Sequence, residues 1–205
     1  MDIAGSINGS LCRVPPWLIY VGFAAWAGWE FWKALTGQGA YSVEPINVLE
    51  RTYGEMALKL MVVGLMVTPL RKWAGLNFLK FRRAIGVTAF FLVLAHFLVF
   101  AILDVQSLSR VWTEIVKRPY VTVGMASFLM LIPLAVTSNN WSLRKLGAAS
   151  WRKLHKLTYP AAILGAVHYL WLVKGFQLEP IIYLAVILGL LLLRVKWRPK
   201  RVAVS

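Results

Sequence analysis

Residues 82–104 read RRAIGVTAFFLVLAHFLVFAILD: two arginines, then an uncharged apolar run over 84–103 that contains one histidine, then Asp104. At 1.5 Å per residue a helix of that length spans about 30 Å, the thickness of a bilayer's hydrocarbon core. The stretch predicts a membrane-crossing helix with a basic end, an acidic end and His96 inside it.

Working outward, five more runs have this character: 16–35, 54–70, 120–137, 157–173 and 180–195. The last two are short, and Pro160 and Pro180 fall in or beside their first turns, where proline is tolerated. Of the 205 residues 59% are hydrophobic and only 15% charged, against about 45–50% and about 25% in soluble domains. The fold class expected is an all-α integral membrane protein, a six-transmembrane-helix bundle forming one domain over 1–205. A cleavable leader is the rival for the first run, which is longer than the usual core of such peptides and lacks a good small-x-small site.

Charge orients the bundle. The 71–83 loop, the 144–156 segment and the tail from Arg194 hold 15 basic and no acidic residues, whereas the alternate side holds seven of the eight acids. Both termini are therefore assigned to the cytoplasm. The same rule explains the net charge of +15 without nucleic acid. Trp17, Trp32, Trp73, Trp112, Trp141, Trp151, Trp171 and Trp197 lie near predicted span ends, as interfacial rings do. The intervening segments are read as loops, with no room for a Rossmann unit, and Gly-x-Gly-x-x-Gly and P-loop patterns are absent. Cys12 is the only cysteine, so no Cys-x-x-Cys-His haem attachment exists.

The three histidines divide. His96 follows Arg83 by 13 residues and His168 follows Lys156 by 12, so both sit roughly 20 Å from the basic edge on helices running the same way. Two imidazoles at one level suit bis-histidine ligation of a b-type haem, one per chain. Hydrogen bonding between helices is the plainer reading of such histidines. His155, 13 residues before His168, would be about 20 Å away and rotated by roughly 220° on one helix, so it cannot share that iron. With Arg82 and Arg83 at its level it suits a donor-side role: proton acceptor, quinone hydrogen bond, or a site for an anionic flavin phosphate. Arg51, Lys117 and Arg118 are the outer-face cations available to haem propionates. Glu30 and Lys33 are expected to snorkel to the outer interface, and Met56, Met61 and Met66 to pack or face lipid.

The segments RRAIGVTAFFLVLAHF (82–97), RPYVTVGMAS (118–127) and RKLGAASWRKLHKLTYPAAILGAVHYLWLVK (144–174) resemble the haem-binding membrane subunit of the bacterial periplasmic methionine sulfoxide reductase system, the MsrQ family, within the ferric-reductase-like transmembrane group. The resemblance covers nearly the whole chain. It implies a multi-pass inner-membrane cytochrome b with His96 and His168 as haem ligands and His155 as the family's third histidine. It also implies flavin mononucleotide, electrons from the quinone pool or a flavin reductase, and a periplasmic molybdopterin-containing catalytic subunit as acceptor. Members of the wider group often carry another histidine where this chain has Arg83, which argues against a second haem. Direct reduction of metal ions at the outer surface, or a haem-free transporter or scaffold, are the competing functions. No inverted repeat of the transporter kind is detectable.

Overall fold

The computed structural model describes residues 3–173 and 175–194. The end of the sixth run at Val195, the tail cations Lys196, Arg198, Lys200 and Arg201, Trp197, and Lys174 lie outside the described residues. The helices are α1 (Ile3–Arg13), α2 (Trp17–Thr36), α3 (Pro45–Trp73), α4 (Arg82–Leu98), α5 (Leu108–Lys117), α6 (Pro119–Val136), α7 (Asn140–Leu154), α8 (Thr158–Leu172) and α9 (Leu178–Leu192). No strand occurs among the described residues. Three stretches are long and apolar enough to cross a membrane: Pro45–Trp73, Leu79–Asp104 and Pro119–Val136. The other three runs fall on α2, α8 and α9, the last two of 15 residues each.

Three segments outside the predicted spans are helical, two of them (α5 and α7) where loops were expected. α1 is held by the Asn8 side chain, which donates to the Gly75 carbonyl at 2.9 Å and accepts the Asn77 N–H at 2.9 Å. α7 starts because the Asn139 side chain caps it, accepting the Ser142 N–H at 2.7 Å, and it kinks at Gly147, φ +74°. α5 is amphipathic, with Val111 buried and Leu108, Trp112 and Val116 exposed along one stripe. Apolar run length misses such helices because they lie at span ends, where the polar residues of one face dilute the count.

α3 starts nine residues before its predicted span. Pro45 occupies a first-turn position where its missing N–H leaves no hydrogen bond unmade, and the extra turns carry Glu50 and Arg51. α4 does not end as a regular helix: Val99–Asp104 continue it with π-helical bonding, beginning three residues after His96. Such insertions often mark functional positions.

Two helix pairs form the centre, α3 along α4 and α6 along α8. The second pair is close because Ala161, Ala162 and Ala166 are fully buried, and the Ser127 hydroxyl donates to the Ala161 carbonyl at 2.8 Å. α9 packs on α8 and α3, and α2 on α3 and α4. Glu30 does not snorkel to the outer interface as expected. It is buried, paired with Lys33 at 2.6 Å, and accepts the Tyr41 hydroxyl at 2.7 Å. A carboxylate with two strong partners is cheaper to bury than a lone one, so it fastens α2 to the turn before α3. Met61 is a core residue.

Candidate functional site

His96 from α4 and His168 from α8 face each other with ring centroids 6.2 Å apart and planes at 76°. Each ring is held by another helix. His96 Nδ1 lies 2.8 Å from the Glu50 carbonyl oxygen on α3, and His168 Nδ1 lies 2.7 Å from the Tyr120 carbonyl oxygen on α6. A carbonyl only accepts, so each Nδ1 carries the proton and each Nε2 keeps its lone pair. This is the arrangement that presents an imidazole to a metal. Both rings line one cavity, together with Val93, Phe97, Phe128 and Leu172.

The spacing suits a haem iron. Metal–imidazole nitrogen bonds run about 2.0–2.1 Å, and with the ring radius added, two imidazoles in line on one ion stand about 6.2–6.4 Å apart between centres. Among the described residues no group of three or more His, Cys, Asp or Glu could hold a metal ion, and two imidazoles in line match the donor set that a planar macrocycle leaves room for.

The propionate candidates separate. Arg51 and Arg118 line the cavity, and Lys117 does not. Lys117 is the exposed last residue of α5. The Arg118 guanidinium is already engaged by Glu114 and, at 3.0 Å, by the Tyr120 hydroxyl. Glu50, Glu55 and Asp104 share the same lining.

His155 sits at the opposite end of α8 in a short 3₁₀ turn, His155–Leu157, rather than on α8 itself. Trp151 stacks on its ring at 3.7 Å. The Thr137 hydroxyl donates to the Pro133 carbonyl at 2.6 Å, so at 3.1 Å from His155 Nε2 its oxygen is the acceptor, and that nitrogen carries the proton. Burial pushes the His155 pKa down to about 4, and the charges of Arg82 and Arg83 push the same way. The three residues grouped by sequence thus share one end of the bundle, with Arg83 donating to the Asn140 side chain at 2.7 Å. Arg194 joins them, donating to the Tyr159 hydroxyl at 3.1 Å and to the Leu65 carbonyl.

A family described as the ferric reductase like transmembrane component matches residues 53–166, a stretch that contains His96 and His155 and stops two residues before His168. Over 180 residues the chain is 45% identical to the protein-methionine-sulfoxide reductase heme-binding subunit MsrQ of Brucella anthropi, covering 87% of this chain and 80% of that one. The chain belongs to the MsrQ family. The MsrQ subunit of Brucella ovis is similar too, at 44% identity over 179 residues, 87% of this chain and 80% of the relative. No solved structure matches.

For this MsrQ family member, run length and histidine spacing passed over the residues that hold the rings: Gly54, Tyr120, Gly124, Thr137 and Trp151. A glycine inside an apolar span is a signal of close helix approach, and Gly54 and Gly124 carry it. The roles of Tyr120 and Glu50 fall on backbone carbonyls, which every residue has, so their identity in the sequence says nothing.

Proposed function

We propose that the chain is a six-span cytochrome b of the bacterial inner membrane, one ferric-reductase-like domain over 1–205 with both termini cytoplasmic. It would take electrons from a quinol or a reduced flavin and deliver them to a periplasmic molybdenum-containing methionine sulfoxide reductase. The observation that carries this reading is the facing pair His96 and His168, 6.2 Å apart, each with Nδ1 given to a backbone carbonyl. Membership of a family whose curated members are named heme-binding subunits supports it. The alternation of basic and acidic segments between the six apolar helices supports the topology.

A bound haem supplies one-electron chemistry that no side chain here has. His96 and His168 would hold the iron through Nε2, from two helix pairs whose packing sets the distance between them. Arg51 and Arg118 would meet the propionates at the outer mouth. At the other end, His155 stays neutral at pH 7 and keeps an unprotonated Nδ1, which can take a proton from a quinol or a reduced flavin as electrons leave it. Arg82 and Arg83 would hold the phosphate of flavin mononucleotide.

A reduced-minus-oxidised optical spectrum of the detergent-purified chain, with haem counted per chain, tests the reading. One low-spin b haem per chain is expected. Its absence from protein made with ample haem would return the chain to the transporter or scaffold class. Direct reduction of ferric chelates is the second reading, favoured by the family description matched over 53–166. Fast chelate reduction by the chain without a periplasmic protein would select it.

A further inference from the structure

The two histidines are held by the same device, repeated on the two helix pairs. His96 of α4 lies over Gly54 of α3, and its Nδ1 meets the carbonyl four residues earlier, that of Glu50. His168 of α8 lies over Gly124 of α6, and its Nδ1 meets the carbonyl four residues earlier, that of Tyr120. In a helix the oxygen of residue i−4 points along the axis toward residue i. A ring laid on the bare Cα of residue i is therefore aimed at that oxygen.

The fit leaves no room for a Cβ at Gly124 and little at Gly54. A Cβ at Gly124 would stand 2.7 Å from His168 Nδ1, 2.9 Å from Cε1 and 3.0 Å from Cγ. A Cβ at Gly54 would stand 3.1 Å from His96 Nδ1 and 3.3 Å from Cε1. Neither glycine has a positive φ, so backbone freedom is not what requires it. Gly86, also on α4, has nothing within 4 Å of such an atom.

We propose that Gly54 and Gly124 are positioning residues for the axial histidines, with Gly124 the tighter of the two. Each glycine lets its ring reach the carbonyl that fixes the proton on Nδ1 and turns Nε2 toward the iron. This inference rests on the bis-histidine reading above. It adds a residue pair on which coordination depends and an inequality between the two sides.

The test uses the full-length holoprotein in detergent and the variants Gly124→Ala, Gly54→Ala and Gly86→Ala. Haem per chain, the low-spin to high-spin ratio and the reduction potential are measured. The helical circular dichroism and melting of haem-depleted protein are followed alongside. Gly124→Ala is expected to shift the haem toward a high-spin, five-coordinate spectrum and to weaken haem retention by roughly 10–100-fold, the range for loss of a partner that orients a ligand. Added imidazole should restore the low-spin spectrum. Gly54→Ala is expected to keep a low-spin haem with a smaller shift, and Gly86→Ala to match the parent. Parental spectra and potential in Gly124→Ala would overturn the proposal while leaving the haem reading intact. So would equal damage from Gly86→Ala, or a Gly124→Ala chain that is destabilised to the same degree without haem, since both indicate helix packing alone. A parent chain that binds no haem, or a His168→Ala chain that keeps a six-coordinate low-spin haem, would refute the underlying reading instead.

Discussion

His168 and His155 stand 13 positions apart at the two ends of one helical segment, and they are held in opposite ways. His168 gives Nδ1 to a backbone carbonyl and lines a cavity in which its ring faces a second imidazole. His155 gives Nε2 to a threonine hydroxyl, lies under a tryptophan ring, and has two guanidiniums where a second imidazole would be needed. The residue type is the same, and His168 is the more deeply buried of the two. What differs is which nitrogen the surroundings occupy: Nε2 is left free on His168 and Nδ1 on His155.

The largest effect that would break this comparison is loss of ligation. His96→Ala or His168→Ala is expected to reduce haem per chain from one to near none, read by pyridine haemochrome. His155→Ala should keep the haem and its low-spin spectrum while slowing its reduction by a quinol or reduced flavin at least about 100-fold, the usual weight of a positioned proton acceptor. Stopped-flow reduction measures this, and a haem-free His155→Ala protein would remove the distinction between the two ends.

The acid side sharpens it further. His155 has its folded pKa lowered to about 4, below the unfolded value of about 6.5. The unfolded chain therefore binds the extra proton first. Its contribution to stability is complete above about pH 6.5 and is lost as pH falls toward 4. Melting temperature in detergent should drop over that window, and His155→Gln should flatten the drop. The smallest expected effect is that of Thr137→Val, which removes the Nε2 acceptor at a stability loss of about 1 kcal/mol and leaves the haem spectrum as it was. A spectral change in that variant would mean that the two ends are coupled.

The sequence by itself determined the helical class, the apolar runs and the alternation of charge, because those follow from the cost of placing charge and unpaired backbone in lipid. It also determined that His96 and His168 share a level, since rise per residue is constant along a helix. Helices α1, α5 and α7 escaped run-length reading because caps and amphipathic faces, rather than apolar content, make them. Only the tertiary structure decided which helices pair, and with that everything that depends on neighbours. Glu30 is buried because Lys33 and Tyr41 reach it. Arg118 lines the cavity and its neighbour Lys117 does not, because α5 ends at Lys117 and the backbone turns extended at Arg118 before α6 begins. Each histidine's free nitrogen is chosen by a carbonyl or hydroxyl on another helix, 46 residues away for His96, 48 for His168 and 18 for His155. A hydrogen bond to a main-chain oxygen leaves no mark on side-chain identity, and the glycine that makes room for it is recognisable only once the ring lying on it is seen.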